Sequence, residues 1–233
     1  ESFPFTEPDS LLRAKVGVTM NLHAFTKHFG KTCAVSSPEL TLKPGRLYAV
    51  IGANGSGKST FSRVVSGVLA ADQRQRVLSP SVSVGYMPQK SYGYRMTVRR
   101  NLLLPANDPA QADQLLELLH LDHLAAKPAH RLSGGETARL ALARLMMKCY
   151  DLVILDEPTA SMDIESTILA EQVIQRYLQE TGCTLLLVTH SLQQARRLGD
   201  EAFFFYKGTL LESGPKEQVL YHPIWKETRQ FIT

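Results

Sequence analysis

The sequence predicts an α/β fold in which a mostly parallel β-sheet is covered by helices on both faces. Short apolar runs alternate with amphipathic stretches of helical period along the 233 residues, an order typical of sheets with helical crossovers. The runs are apolar throughout, which indicates strands that are buried on both faces. A glycine-rich loop joins the first of these runs to the first helical stretch, so the sheet is expected to lead directly into a helix there.

Five apolar runs bounded by turn residues are predicted as the main strands. They cover residues 47–51, 82–86, 152–155, 185–189 and 202–206. Helical patterns fall between them at residues 59–68, 138–149, 166–179 and 192–198. The dipeptide Lys207-Gly208 follows the last run and is typical of a tight hairpin turn. We therefore expect an antiparallel strand pair on the C-terminal side.

Residues 97–130 contain no strand pattern, although residues 110–121 have the apolar period of an amphipathic helix. We interpret this stretch as an inserted helical lobe and place the helical subdomain at about residues 93–145. Residues 1–15 have little periodicity and are predicted as a flexible arm. The remaining residues, 16–233, are predicted to form one domain.

The composition argues against several classes of protein. The net charge is +4, and the 26 Lys and Arg residues form no long basic run, so a nucleic-acid partner is permitted but not indicated, and we predict none. The three cysteines form no C-x-x-C pair, which favours reduced thiols over a disulfide framework. No apolar run is long enough to cross a bilayer and no secretion signal is visible, so we expect a soluble chain that is not secreted.

The glycine-rich loop at residues 52–60 reads Gly-Ala-Asn-Gly-Ser-Gly-Lys-Ser-Thr and matches the pattern G-x-x-x-x-G-K-[ST]. Its glycines let successive backbone N–H groups point at anionic oxygens, Lys58 can reach β- and γ-phosphates, and the Ser59 hydroxyl can hold Mg²⁺. A plain flexible turn is the alternative, which the complete pattern after a hydrophobic strand disfavours. The predicted ligand is a nucleoside triphosphate, contacted by Asn54, Gly55, Gly57, Lys58, Ser59 and Thr60.

Two carboxylates, Asp156 and Glu157, follow the apolar run at residues 152–155. The carboxyl ends of parallel strands are where α/β sheets present groups to a ligand. Asp156 can orient Mg²⁺ or its waters, and Glu157 can position or deprotonate a water that attacks the γ-phosphate. An ordinary polar turn is the alternative for this segment alone, but the phosphate loop upstream favours the catalytic interpretation.

The segment Leu-Ser-Gly-Gly-Glu at residues 132–136 has two interpretations. Ser133 and Glu136 fit a capping box, in which their side chains satisfy free N–H groups at the start of a helix. A glycine-rich helix N-terminus is also suited to bind an anion, because its N–H donors and dipole face whatever approaches. Both interpretations can hold together.

Five motifs in this order resemble the nucleotide-binding domain of an ABC transporter. They are the phosphate loop, Gln89 after a strand, the segment at residues 132–136, Asp156-Glu157 and His190. The resemblance covers nearly all of residues 21–214, and it implies a P-loop NTPase core, an inserted helical subdomain, ATP hydrolysis, and ATP and Mg²⁺ as ligands. The short separation of Lys58 and Gln89 predicts that the antiparallel β-lobe inserted there in many relatives is reduced.

The resemblance also implies roles for single residues. Phe29 matches the aromatic residue that stacks on adenine, with a core phenylalanine as the alternative. Gln89 matches a glutamine that senses Mg²⁺ and the γ-phosphate and links to the transport partner, and Asp163 matches a loop that crosses to the second subunit. The implied catalytic residues are Glu157, His190, Gln89 and Lys58, the implied metal ligands are Ser59, Gln89 and Asp156, and Ser133 and Gly135 contact ATP held by another copy.

Three functions fit these motifs. The favoured one is the ATPase subunit of a bacterial importer, because residues 208–233 resemble the tails of such subunits and the lack of a membrane span requires a separate permease. A soluble ABC ATPase that works on ribosomes or DNA, and the nucleotide domain of a fused exporter, are the alternatives. The expected partners are a second copy in a head-to-tail ATP sandwich dimer, permease subunits in the membrane and, indirectly, an extracytoplasmic solute-binding protein. The expected location is the cytoplasmic face of the plasma membrane.

The solute is predicted only as an inorganic ion. The segment before residues 85–90 resembles that of zinc and manganese importers, whereas the tail resembles tungstate, phosphate or polar amino-acid systems. A polar amino-acid importer is therefore the alternative. No protein-bound structural metal is predicted, because the histidines other than His190 form no convincing ligand set.

Overall fold

The computed structural model describes residues 17–233, and the predicted arm at residues 1–15 lies outside them. The described residues divide into two compact units. The sheet unit comprises residues 17–86, 150–157 and 182–233, and the helical unit comprises residues 87–149 and 158–181.

The sheet unit is organised around one eight-stranded sheet. The strands in chain order are β1 (Met20–Leu22), β2 (Phe25–Phe29), β3 (Thr32–Ser37), β4 (Leu40–Leu42), β5 (Leu47–Ile51), β6 (Val84–Met87), β7 (Leu152–Asp156), β8 (Thr184–Val188), β9 (Glu201–Tyr206) and β10 (Thr209–Pro215). The large sheet has the order β2-β3-β10-β9-β5-β8-β7-β6, and β1 pairs with β4 in a small antiparallel sheet. Strands β9, β5, β8 and β7 are mutually parallel, whereas β9 and β10 form the expected antiparallel hairpin. The predicted fold class is confirmed.

Eight helices lie in the described residues. They are α1 (Lys58–Val65), α2 (Val98–Leu102), α3 (Pro109–Leu118), α4 (Gly134–Met146), α5 (Ile164–Thr181), α6 (Leu192–Leu198), α7 (Lys216–Tyr221) and α8 (Lys226–Ile232). Within residues 17–233, no helix is both long enough and apolar enough to span a bilayer.

The central strands of the large sheet, β5, β7 and β8, are buried on both faces, as their apolar sequences predict. Every residue of β5 is buried, and its side chains alternate between two cores because successive side chains of a strand point to opposite faces. Tyr48 and Val50 pack in one core with Phe61 of α1. Ala49 and Ile51 pack in the other core, which includes residues of α6 and α7. The loop after β5 is therefore held on a strand that is fixed from both sides.

The helical unit contains α2 to α5 and two 3₁₀ turns, Asp122–Leu124 and Ala129–Arg131. Helix α4 packs against α2, α3 and α5, and its leucines at positions 140 and 142 are fully buried. The helix predicted at residues 110–121 is observed as α3, which ends at Leu118, two residues before His120 adopts a left-handed backbone with φ of 53°. The predicted bounds of the helical subdomain, about 93–145, stay a prediction.

Candidate active site

The loop between β5 and α1 requires glycine at two positions. Gly52 and Gly57 have φ of 147° and 101°, backbone conformations that other residues rarely adopt. A Cβ on Gly57 would lie 2.5 Å from the carbonyl oxygen of Ala34, and one on Gly52 would collide with the carbonyl of Phe205. The loop therefore packs directly on the backbone of Ala34 and Phe205, and this packing fixes its tight curvature.

Lys58 is the first residue of α1 and is only 6% exposed. Its Nζ donates hydrogen bonds to the carbonyl oxygens of Gly52, at 2.8 Å, and Ala53, at 3.0 Å, so the ammonium group lies over the loop. Burial lowers the pKa of Lys58, and the nearby carboxylates of Glu157 and Asp156 oppose that shift. The loop thus holds a buried cation whose hydrogen-bond partners, among residues 17–233, are two carbonyl oxygens.

Asp156 ends β7 and is 1% exposed. The Ser59 hydroxyl donates to its Oδ1 at 3.2 Å, the Ser62 hydroxyl donates to its Oδ2 at 3.1 Å, and the Tyr86 hydroxyl makes a longer contact of 3.5 Å with Oδ2. Burial raises the pKa of Asp156, and the hydrogen bonds from Ser62 and Ser59 oppose the rise. A hydroxyl and a carboxylate in contact are oxygen ligands of the kind that Mg²⁺ prefers.

Glu157 follows Asp156 in a left-handed backbone conformation with φ of 53°. Its N–H donates to the carbonyl oxygen of Val188, the last residue of β8, at 2.9 Å. Its Oε2 lies 2.8 Å from Nδ1 of His190, whose side chain is 63% exposed. Because β7 and β8 are neighbours in the sheet, their carboxyl ends bring Glu157 and His190 together. A strained backbone at such a position is often functional.

Phe29 is the last residue of β2, and 53% of it is exposed. The alternative of a core phenylalanine is therefore wrong. The Lys27 ammonium lies 5.8 Å from the centre of its ring, a distance suited to a weak cation–π contact. The ring is open to a stacking partner on the surface of the sheet unit.

In the helical unit, Ser133 caps α4 as the capping box predicts. Its N–H donates to Oε2 of Glu136 at 2.7 Å, and its Oγ accepts from the N–H of Glu136 at 3.2 Å. The bond from the Ser133 N–H, with Lys127 nearby, lowers the pKa of Glu136. A Cβ on Gly135 would lie 3.0 Å from the carbonyl oxygen of Ser161, so the first turn of α4 is closely packed. Helix α4 begins four residues before the predicted range of 138–149 because this cap extends it.

Two other predicted residues also lie in the helical unit. Gln89 is exposed, two residues beyond the end of β6. Asp163 precedes α5 and accepts a hydrogen bond from the N–H of Ser166 at 2.7 Å, which lowers its pKa. Asp163 is thus a helix cap, a role that sequence reasoning missed.

Sequence reasoning also missed Ser62 and Tyr86, which contact Asp156. The signal for Ser62 was its spacing of three residues from Ser59, which puts both hydroxyls on one side of a helix. Among residues 17–233, no cluster of three or more His, Cys, Asp or Glu side chains is arranged to hold a metal ion.

The sequence is similar to those of ABC transporter proteins. A family model described as ABC transporter matches residues 35–160. The zinc import ATP-binding protein ZnuC of Yersinia enterocolitica is 34% identical over 210 residues, which are 88% of this chain and 82% of that protein.

Solved structures share the fold. A nucleotide-free ATP-binding cassette from an ABC transporter aligns with a TM-score of 0.75 at 20% identity and covers 92% of this chain and 98% of its own. RNase-L inhibitor aligns with a TM-score of 0.76 at 24% identity, over 86% of this chain and 40% of that one. At such identities the likeness shows the fold alone and does not distinguish transport from other functions.

Proposed function

The chain belongs to the ABC transporter family, and from this membership we propose that it binds and hydrolyses ATP to power an importer of an inorganic ion, zinc. The observation that carries the proposal is the meeting of three strand ends in one sheet. The phosphate loop follows β5, Asp156 ends β7 with Glu157 after it, and His190 lies just beyond β8. Ligands of open α/β sheets bind at the carboxyl ends of the strands.

ATP is the nucleotide of this site. Backbone N–H groups of the loop and the Lys58 ammonium face the phosphates, and the exposed ring of Phe29 stacks on adenine. The Ser56 hydroxyl supports this, because it is buried in the loop and has no hydrogen-bond partner among residues 17–233, which leaves a donor for an anionic oxygen. The residues that contact the phosphates are Asn54, Gly55, Gly57, Lys58, Ser59 and Thr60.

Ser59 and Asp156 would hold Mg²⁺, and Gln89 remains the third predicted ligand. The contact between the Ser59 hydroxyl and the buried Asp156 carboxylate fits a hard divalent cation. When bound, Mg²⁺ neutralises charge on the β- and γ-phosphates. Lys58 would exchange its carbonyl partners for phosphate oxygens when ATP binds.

Glu157 positions the attacking water and accepts its proton. Its fixed backbone and its 2.8 Å contact with His190 hold the carboxylate beside the phosphate loop. His190 keeps Glu157 oriented and presents its exposed ring edge to the γ-phosphate. General-base groups of this kind contribute about 10²–10⁴-fold to rate.

The active unit is a head-to-tail dimer in which Ser133 and Gly135 of one copy complete the site of the other. The exposed Ser133 at the start of α4 supports this role, since helix N-termini bind anions. Permease subunits in the membrane are the remaining partners, with a solute-binding protein acting through them. The chain then lies at the cytoplasmic face of the plasma membrane.

The test of catalysis is Glu157→Gln, which keeps hydrogen bonding but removes basicity. ATP should bind with near-normal affinity in calorimetry, while turnover falls by about 10²-fold or more. His222→Gln, a change at an exposed position outside the strand ends, is the control and should leave turnover unchanged. Near-normal turnover of Glu157→Gln would reject Glu157 as the base.

The test of transport uses the source organism with this gene deleted. Zinc accumulation should fall, and it should recover with the wild-type chain but not with Glu157→Gln. Manganese and phosphate uptake are measured in the same cells. If zinc uptake stays normal while uptake of manganese or phosphate is lost, the importer function stands and its solute is that other ion.

A further inference from the structure

A serine that the proposed mechanism does not use lies against the buried carboxylate of Asp156. Ser62 is on α1, one turn beyond Ser59, and it is fully buried. Its Oγ lies 3.1 Å from Oδ2 of Asp156, whereas the Oγ of Ser59 lies 3.2 Å from Oδ1. The two oxygens of one carboxylate therefore have different serine partners.

The Ser62 hydroxyl has one proton, two acceptors within hydrogen-bond distance and a weaker interaction with the Tyr86 hydroxyl. The backbone oxygen of Ser59 lies 3.0 Å from Ser62 Oγ, about as close as Oδ2 of Asp156. A hydrogen bond to an ionised carboxylate is about twice as strong as one to a neutral carbonyl. Leaving the nearly inaccessible carboxylate unpaired would also be costly. The proton is therefore expected to go to Asp156.

We propose that Ser62 is a positioning residue, which holds Oδ2 of Asp156 and leaves Oδ1 facing Ser59 and Mg²⁺. This inference rests on the proposed metal role of Asp156 and Ser59. The terminal torsion of an aspartate has broad minima, so a carboxylate without this bond can turn away from the metal. Holding one oxygen fixes the ligand before the metal binds. Partners of metal ligands typically change metal affinity by about 10–100-fold.

Tyr86 is a second and weaker donor to the same oxygen. Its 3.5 Å distance is at the limit of a hydrogen bond. The effect of Tyr86→Phe should therefore be smaller than that of Ser62→Ala.

The test measures metal affinity separately from nucleotide affinity on the whole chain. Mn²⁺ is titrated into the protein with ATP and followed by electron paramagnetic resonance, and ATP affinity is measured in EDTA. Ser62→Ala should weaken Mn²⁺ binding by about tenfold or more and leave metal-free ATP affinity unchanged. Ser62→Thr, which keeps the hydroxyl, should retain most of the Mn²⁺ affinity. Ser66→Ala, at the end of the same helix, removes a hydroxyl that donates to Arg63 and is the matched control.

Asp156→Asn separates this inference from the proposed function. If Asp156→Asn loses Mn²⁺ while Ser62→Ala binds it like the wild type, the positioning role is overturned and the metal site stands. If Asp156→Asn binds Mn²⁺ normally, the metal role of Asp156 is wrong and the inference fails with it. Thermal unfolding shows whether each variant folds. Should Ser62→Ala not fold, Ser62→Cys replaces it, because a thiol is similar in size and only a weak donor, and unchanged Mn²⁺ affinity there would overturn the proposal.

Discussion

Two opposite charges, Lys58 and Asp156, are buried in the sheet unit, and burial works against both of them. It lowers the pKa of the lysine and raises the pKa of the aspartate, which favours the neutral form in each case. Groups arranged for a ligand in this way commonly reduce the stability of the free protein. The nucleotide-free chain should therefore gain stability when the buried carboxylate is made neutral.

Asp156→Asn should raise the melting temperature of the nucleotide-free chain at pH 7. Because the pKa of Asp156 is raised on folding, its ionised form costs stability above that pKa, and the cost fades as the pH falls through it toward the unfolded value. We expect a gain of about 2–4 °C at pH 7, the shift that ~1 kcal/mol gives in a domain of this size. Calorimetry from pH 7 downward should show the gain shrinking as the pH approaches the unfolded pKa of an aspartate, about 4.

Asp163→Asn is the control for that prediction. The Ser166 N–H lowers the pKa of Asp163, so ionisation of this carboxylate stabilises the fold and its removal should not raise the melting temperature. The interpretation of Asp156 is rejected if Asp156→Asn melts below the wild type at pH 7 without nucleotide.

At this scale, the sequence predicted the residues whose position depends on a strand end. Asp156, Glu157 and His190 come at the end of an apolar run and Lys58 follows the loop after another, and parallel strands bring such ends together. Ser62 and Tyr86 could not be predicted in the same way. Their contacts with Asp156 depend on how α1 and β6 pack on β7, and a local pattern does not carry that information.

At the scale of elements, apolar continuity decided which strands could be predicted. Strand β5 was predicted with its observed bounds, and the other main strands differ by one or two residues. Strands β1 to β4 were missed. The sequence of β2 is Phe-Thr-Lys-His-Phe, and it is half-exposed, so it has no apolar run. Its pairing with β3 is a tertiary effect that overrides weak local preference.

In the helical unit, α4 contacts the segment at residues 92–94, and no sequence motif indicated this contact. The Arg144 guanidinium on α4 lies 5.4 Å and 4.9 Å from the ring centres of Tyr92 and Tyr94. It also donates to Oδ1 of Asn101 and to the carbonyl oxygen of Tyr92, both at 3.2 Å. Asn101 is fully buried and binds the backbone of Tyr94. Arg144 thus fixes the segment at residues 92–94 to α4 and α2.

Arg144→Lys should destabilise the chain by about 1–3 kcal/mol, because a lysine cannot make both hydrogen bonds from one planar group while it contacts the two tyrosine rings. Urea unfolding at pH 7 measures the change. Arg176→Lys is the matched control, since its pair with Glu180 is an i,i+4 contact on a helix and should contribute only about 0.3–0.5 kcal/mol. Equal losses for the two variants would contradict a special role for Arg144.

At the scale of the whole molecule, the capping box does not settle whether Ser133 also serves a second copy. The cap acts within one chain and its geometry is complete there. If Ser133 only caps α4, Ser133→Arg should cost about 1 kcal/mol of stability and leave hydrolysis little changed below the unfolding temperature. If it also reaches ATP held by another copy, arginine should block closure by its bulk, and dimerisation on MgATP should fail.

Mixing two damaged chains distinguishes these outcomes. A Ser133→Arg chain keeps its phosphate loop, and a Lys58→Ala chain keeps its capped helix, so their heterodimer would contain one site with both halves undamaged. We expect each variant alone to be inactive and the mixture to recover ATP-dependent dimerisation and partial turnover, measured by light scattering and phosphate release. The other site of the same heterodimer has both halves damaged, which limits recovery to about half of the wild-type sites and distinguishes it from contamination. Wild-type turnover by the folded Ser133→Arg chain alone would return Ser133 to a cap alone, because a residue that acts only within its own chain leaves the site of another copy intact.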